Sequence, residues 1–182
     1  VFQLSHNRKE ILWILKCDIR KFFASIDHQI LMAILKKYIE NSDILDLFRL
    51  ILGSFSVQNG VGLPLGNLTS QLLVNVYMNE FDQFVKHRLR ARCYIRYADD
   101  FVIMCKDKSH LDEFLPMIKI FLKDRLKLEL HPDKVSIRTI ASGVDFLGWV
   151  HFPDHRVLRT TTKRRMIRNL KAKQGNEAVK QS

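Results

Sequence analysis

Two aspartates, Asp99 and Asp100, stand side by side between the apolar pentapeptides CYIRY and FVIMC. Adjacent carboxylates in an apolar hairpin repel each other and lose hydration. Such a pair is tolerable where a divalent cation balances it, although a DD turn alone indicates no more than a polar loop. Asp18 changes the reading. It too closes an apolar run, ILWILKC over residues 11–17, and it lies so far upstream that only tertiary folding can bring it near the pair. If the two strands are neighbours in one sheet, three carboxylates converge at one edge. Magnesium takes oxygen ligands, one or two carboxylates with waters and substrate phosphates. Two such ions activate an attacking oxygen and stabilise a leaving phosphate group.

The elements that must position these residues follow from periodicity. Residues 11–17 suit a strand buried on both faces. Asp27 reads as the N-cap of a helix over HQILMAILKKY, and Ser42 or Asn41 caps a second with apolar residues from Ile44 to Leu52. The stretch SVQNGVGLPLGN cannot be ordinary helix, because Gly60, Gly62, Pro64 and Gly66 break one. Thr69 starts a long helix to about Leu89, and the two pentapeptides flank Ala98-Asp99-Asp100 as a β-hairpin. Ser109 caps a further helix, SHLDEFLPMIKIFLKDRL, which Pro116 can kink. LKLEL, KVSIRTI and VDFLGWVHF read as three short strands, PDHR as a turn, and TTTKRRMIRNLKAK as a last basic helix. The order β-α-α-α-β-β-α-β-β-β is α+β, a central sheet covered by helices.

Composition bounds the partners. Thirty Lys and Arg against 19 Asp and Glu leave +11, which favours a polyanion, nucleic acid first and an anionic membrane surface second. The apolar runs fall short of the roughly 18 residues a membrane span needs. No basic-then-apolar leader appears. Cys17, Cys93 and Cys105 share no C-x-x-C spacing and read as free thiols, which suits a cytoplasmic location. The chain begins at Val1 and ends in the polar KAKQGNEAVKQS, so both ends are expected to be cut edges or frayed tails.

Five blocks in order carry a family resemblance. Cys17 to Phe23, with Ile26-Asp27, resembles motif A of reverse transcriptases. Gly62 to Gln71, running on to Asn75 and Tyr77, is similar to their motif B, and Tyr97-Ala98-Asp99-Asp100 matches the YxDD box of motif C. Leu130 to Lys134 resembles motif D, and Phe146-Leu147-Gly148-Trp149 the primer-grip motif E. The flavour is that of bacterial retroelements, between group II intron and diversity-generating enzymes, with LGNLTSQ leaning toward the latter.

The resemblance implies an RNA-directed DNA polymerase with a right-hand polymerase palm over 1–152, followed over 153–182 by a hairpin end, the start of a basic thumb helix and a polar tail. It implies that Asp18, Asp99 and Asp100, with the carbonyl of Ile19, hold two Mg²⁺ ions, for which Mn²⁺ can substitute. Lys134 would then protonate or attract the leaving pyrophosphate. Phe23 takes the place of the steric gate that excludes the ribonucleotide 2′-OH. Leu65, Gly66 and Gln71 would contact the incoming dNTP, although Leu65 departs from the family's usual glutamine. Phe146, Leu147 and Gly148 would hold the primer, and Lys163, Arg164, Arg165 and Arg168 the nucleic-acid backbone. An RNA template and a DNA or RNA primer are the implied partners.

Only Arg8 and Lys9 are basic upstream of Lys16, so the nucleotide-gripping fingers are expected to be largely absent, or to come from a missing segment or accessory protein. Two other readings stand beside this one: a truncated, non-catalytic nucleic-acid-binding remnant of such an enzyme, and an RNA-copying RNA polymerase, which Phe23 disfavours.

Overall fold

The computed structural model describes residues 11–54 and 60–180, without the side chains of residues 171 and 173–180. Arg8, Lys9, the 56–59 part of the glycine-bearing stretch and the tail's side chains lie outside the described residues. Two compact units emerge. One is Trp13–Ile137; the other gathers Ile11 and Leu12 with the chain from Arg138 onward.

The first three strands of the larger unit pair antiparallel, and a fourth joins their sheet. Strands β1 (Trp13–Asp18), β2 (Cys93–Tyr97), β3 (Asp100–Cys105) and β4 (Ser136–Thr139) lie in the order β2-β3-β1-β4. β1 and β3 pair from Trp13↔Cys105 to Asp18↔Asp100. Phe101, Val102, Ile103 and Met104 are all buried, so β3 is covered on both faces. The helices are α1 (His28–Leu35), α2 (Ser42–Gly53), α3 (Leu68–Gln83) and α4 (Lys108–Leu126). Leu31 and Ile34 of α1, Tyr77 and Phe81 of α3, and Ile118 and Leu122 of α4 share one core with Leu15, Cys17 and Ile103. Phe81 contacts Phe101 edge-on, with centroids 5.0 Å apart, and this pair joins α3 to the sheet.

The α+β reading holds, but several boundaries move. Asn41, not Ser42, caps α2, accepting from the Asp43 and Ile44 amides. Asn67 caps α3, so that helix starts at Leu68, and Asp107 rather than Ser109 caps α4. Past Gln83 the chain widens into a π turn over Phe84–Arg88 in place of α-helix. α4 runs through Pro116 and ends on Lys127, whose left-handed φ of 49° turns the chain. LKLEL is therefore not a strand: Leu126 belongs to α4, and only Leu130 makes an isolated bridge, to Ile19.

The second unit also differs from expectation. VDFLGWVHF is two strands, β5 (Val144–Phe146) and β6 (Trp149–His151), joined by Leu147-Gly148. Both turn residues have positive φ, 53° and 82°, the requirement of a tight I′ hairpin. β7 (Arg156–Leu158) adds the third strand, and α5 (Thr160–Lys180) follows. Among the described residues no helix is long and apolar enough to cross a membrane.

Asp27 anchors the larger unit. Its carboxylate caps α1 through the Gln29 and Ile30 amides and receives the Lys127 ammonium at 2.6 Å. Burial works against the charge, but Lys127 and the two amides outweigh it and hold the carboxyl below its usual range. A carboxylate with a depressed folded pKa contributes stability above the unfolded value and loses it as pH falls through the folded one. Asp27→Ala should cost about 1–3 kcal/mol at neutral pH, the loss of a cap and of a buried acceptor. Urea unfolding checks this, and the difference from wild type should narrow as pH is lowered through the carboxylate range.

Candidate active site

β1 and β3 end together, and the register sets Asp18 beside Asp100 as paired residues. β2 and β3 are joined through Ala98-Asp99, with Tyr97 opposite Asp100. Ala98 has a φ of 51°, an unusual value for a residue with a side chain, and the tight turn requires it. The turn is pinned to β1 by the Ile19 amide, which donates to the Asp99 carbonyl at 3.1 Å. On the other side of β1, the His131 amide donates to the Asp18 carbonyl at 2.8 Å. That bond brings in the short 3-10 turn Pro132–Lys134. Lys134 then reaches Asp18 Oδ2 at 3.0 Å.

Asp18, Asp99, Asp100 and Lys134 are thus gathered at one sheet edge. Two lysines balance the carboxylates: Lys134 on Asp18, and Lys16, whose Nζ lies 3.4 Å from Asp100 Oδ2. Asp99 and Asp100 are nevertheless held above the usual carboxylate range. Burial is the main cause for both. The Asp18 charge adds to it and the lysines offset part of it. With the carboxylates engaged in this way, no three Asp, Glu, His or Cys side chains stand together as a ready ligand set among the described residues. The donor chemistry still fits a hard divalent cation. Asp100 Oδ1 is buried and has no hydrogen-bond partner, and an orphaned carboxylate oxygen beside two further aspartates is a position that a cation would satisfy.

The motif B stretch lies along motif A. The Leu63 amide donates to the Phe23 carbonyl at 2.8 Å, Gly62 to Ile26 at 2.8 Å, and His28 to Gly60 at 2.9 Å. Phe23 sits half-buried in a 3-10 turn, Phe22–Ser25, edge-on to Phe22. Leu65 is 80% exposed, and Gly66, with φ 85°, faces open space, so both are free to meet a ligand. Gln71 is exposed on the first turn of α3. Ile19 is buried, with its amide committed to the Asp99 turn.

Two positioning residues escaped the sequence reading. Lys16 is one. Arg96 is the other: its side chain is 9% exposed, it makes a two-pronged pair with Asp82 at 2.7 and 2.8 Å, and it reaches the Ala98 carbonyl at 3.1 Å and Asn75 at 3.2 Å. Tyr94 donates to the same Asp82 carboxylate at 2.6 Å. The aspartate-bearing turn is therefore clamped to α3. A charged residue in the middle of each apolar strand, Lys in ILWILKC and Arg in CYIRY, was the available signal, since a buried cation must find a carboxylate.

In the other unit, Phe146 is buried under the hairpin while Leu147 projects from its tip, 48% exposed. Gly148, Arg159, Thr161, Thr162 and Arg165 join Leu147 around an open recess of about 450 Å³. Lys163, Arg164, Arg165 and Arg168 are all exposed on α5.

An antiparallel sheet carrying two aspartates on a hairpin turn and a third on the adjacent strand, covered by helices, is the palm of a right-hand polymerase. Solved structures agree: apo telomerase from Candida tropicalis matches over 87% of this chain and 34% of its own, with TM-score 0.67 and 13% identity. Telomerase from Candida albicans bound to a telomeric RNA fragment matches over 82% and 30%, with TM-score 0.63 and 14% identity.

The chain belongs to the reverse transcriptase (RNA-dependent DNA polymerase) family, which it matches over residues 2–151. It is similar to Protein YkfC of Escherichia coli K12, 26% identical over 83% of this chain and 48% of that protein. It is also similar to the group II intron-encoded protein LtrA of Lactococcus lactis subsp. cremoris, 25% identical over 84% of this chain and 36% of that protein. These relatives mark a reverse transcriptase of intron or retroelement type. The chain spans about half the length of the first relative and about a third of the second.

The raised aspartates predict a trade between stability and function. In a metal-free buffer the native state keeps protons on Asp99 and Asp100 to higher pH than the unfolded chain does, so stability falls as pH rises past the ordinary aspartate range. Asp99→Asn removes one desolvated charge from this edge. It should melt a few degrees above wild type at pH 7, with the gap closing as pH is lowered toward 4, as calorimetry would read.

Proposed function

We propose that the chain is the catalytic core of an RNA-directed DNA polymerase, transferring a deoxynucleotide from dNTP to a primer 3′-end on an RNA template. The observation that supports this most strongly is the register that sets Asp18 against Asp100 beside the Asp99 turn, with Asp100 Oδ1 left unpartnered. Asp18, Asp99, Asp100 and the Ile19 carbonyl would hold Mg²⁺, or Mn²⁺ in its place; when bound, the ions lower the pKa of the attacking hydroxyl and neutralise charge on the departing pyrophosphate.

The remaining work belongs to the side chains. Lys134 is half-exposed on a short turn, and its ammonium can leave Asp18 to give a proton to the departing pyrophosphate. Phe23, a half-buried ring, would act as the gate by colliding with a ribose 2′-OH. The exposed Leu65, Gly66 and Gln71 would lie against the nucleotide; a leucine offers shape and no hydrogen bond. Leu147 and Gly148 at the hairpin tip would steady the primer, and the cations of α5 would follow backbone phosphates. Cys17, Cys93 and Cys105 are free thiols, which suits work in a reducing cytoplasm.

Primer extension with Mg²⁺ tests the reading. Asp99→Asn should lower nucleotide addition by at least a thousandfold while leaving primer–template affinity within about threefold, because transition-state charge is then poorly balanced. Comparable extension by the two proteins would remove the role assigned to these carboxylates.

Phe23→Val tests the choice of sugar. It should raise the ratio of ribo- to deoxynucleotide efficiency by about 10- to 100-fold, since a gate that works by collision opens when it shrinks. A ratio that stays flat would return Phe23 to the core.

A further inference from the structure

The glycine-bearing stretch that resembles motif B does little to hold itself in place. Gly60 and Gly62 have φ of 78° and 100°, values that a residue with a side chain rarely adopts. Such a segment gives up much backbone freedom on ordering, so the contacts that fix it must come from elsewhere. They come from the chain between Phe23 and His28. The Leu63 amide donates to Phe23, the Gly62 amide to Ile26 and the His28 amide to Gly60, while Val61 bridges Asp27. These are backbone bonds, which depend little on side chains. The ring of His28 joins them. Half-buried in the first turn of α1, it donates from Nε2 to the Gly62 carbonyl at 2.7 Å. A carbonyl can only accept, so the proton of that bond sits on Nε2.

His28 thus takes hold of the stretch twice, by its amide at Gly60 and by its ring at Gly62. Just beyond stand Leu65 and Gly66, both exposed, and then Asn67, which caps α3. The loop between Leu63 and Asn67 therefore spans two anchors, the helix α3 at one end and the Phe23–His28 segment at the other. Phe23 belongs to the second anchor, because its carbonyl takes the Leu63 amide. A shift of Gly62 would move Leu65 and Gly66 relative to Phe23. The carboxylate edge has other supports. Asp18, Asp99 and Asp100 are held by strand register, by the Ile19 amide and by the Arg96 clamp, none of which involves His28.

We propose that His28 is a positioning residue for the incoming nucleotide: its ring fixes the loop that carries Leu65 and Gly66 at a set distance from Phe23. This rests on the polymerase reading, since a nucleotide must lie against those residues. The histidine itself touches no substrate and acts through the Gly62 carbonyl. Loss of its donor should therefore loosen the wall against which the nucleotide binds and leave the charge balance of the transition state alone. That is a loss of uniform binding, which raises KM without lowering kcat.

Steady-state primer extension and amide hydrogen exchange, followed by NMR on the full chain, test this with His28→Leu and His28→Gln. Leucine keeps much of the bulk of the ring but has no donor. Glutamine carries an N–H as many bonds from Cβ as the ring's Nε2. In His28→Leu the KM for dNTP should rise about tenfold, or about 1.4 kcal/mol, the scale of one lost hydrogen bond, with kcat within about threefold. The Gly62 and Leu63 amides should exchange at least tenfold faster, while the Ile19 amide, bonded to the Asp99 turn, keeps its wild-type rate. His28→Gln should return KM and exchange to within about threefold of wild type. Unchanged exchange at Gly62 and Leu63, or a KM that stays put while exchange quickens, overturns the proposal and leaves the polymerase reading intact. Faster exchange at Ile19 together with a fall in kcat and no rescue by glutamine would make His28 a support of the whole fold, and overturns it too. A wild-type chain that extends no primer removes both readings, so the wild type alone tells the two failures apart.

Discussion

Like charges do not assemble without help, and the constraint that governs this molecule is the need to hold three carboxylates at one end of a sheet that is otherwise apolar. Asp18 and Asp100 are paired residues of adjacent strands, and Asp99 is next to one of them in sequence. Opposed like charges in a sheet destabilise it, and here burial adds a second penalty that raises both Asp99 and Asp100. The protein offsets this with two lysines for the three carboxylates, Lys134 on Asp18 and Lys16 on Asp100. The compensation is incomplete, as the orphaned Asp100 Oδ1 shows. An edge stabilised enough to fold, yet short of cations, is suited to receiving them from solution.

Strain follows the same geography. Five residues other than glycine have positive φ among the described residues: Lys21, Arg90, Ala98, Lys127 and Leu147. Arg90 and Lys127 turn the chain at helix ends, where such conformations are ordinary. The other three lie in motif A, on the aspartate turn and at the tip of the β5–β6 hairpin. Glycine would be easier at each. A side chain retained in a costly conformation argues that the side chain, or the stiffness it lends, has a use.

Much of this was legible in the sequence, and what escaped has physical reasons. β1 and the β2–β3 hairpin were readable because buried strands are apolar and short, and α1 because Asp27 is a strong cap. Asp18, Asp99 and Asp100 could be singled out because carboxylates that end apolar strands need an explanation. The LKLEL segment misled: its alternation fits a strand, but a helix that has already buried Ile118 and Leu122 continues to bury Leu126. The β5–β6 hairpin was hidden because its turn is Leu147-Gly148, without the Asn-Gly or Asp-Gly that usually announces one. Lys16 and Arg96 were missed for the opposite reason: each was absorbed into an apolar run when it was the one residue there that required a partner.

Arg96 shows how the scaffold and the edge depend on each other. A palm hairpin alone would be a two-stranded tip free to twist, and a displacement of 1 Å at such a site is costly to chemistry. The Asp82 carboxylate on α3 takes both prongs of Arg96 and the Tyr94 hydroxyl, and the same guanidinium then holds the Ala98 carbonyl. α3 in turn is fixed to the end of α4 by the Tyr77 hydroxyl on the Leu126 carbonyl at 2.7 Å. The next residue, Lys127, closes on Asp27 at the head of α1. Position is thus passed from helix to helix through buried or half-buried polar contacts, each of which has one good geometry, and not through apolar packing, which tolerates many. The excess of positive charge in this chain is therefore not a uniform coat: Arg96, Lys16 and Lys127 are spent on holding the palm in register, whereas Lys163, Arg164, Arg165 and Arg168 of α5 stand exposed.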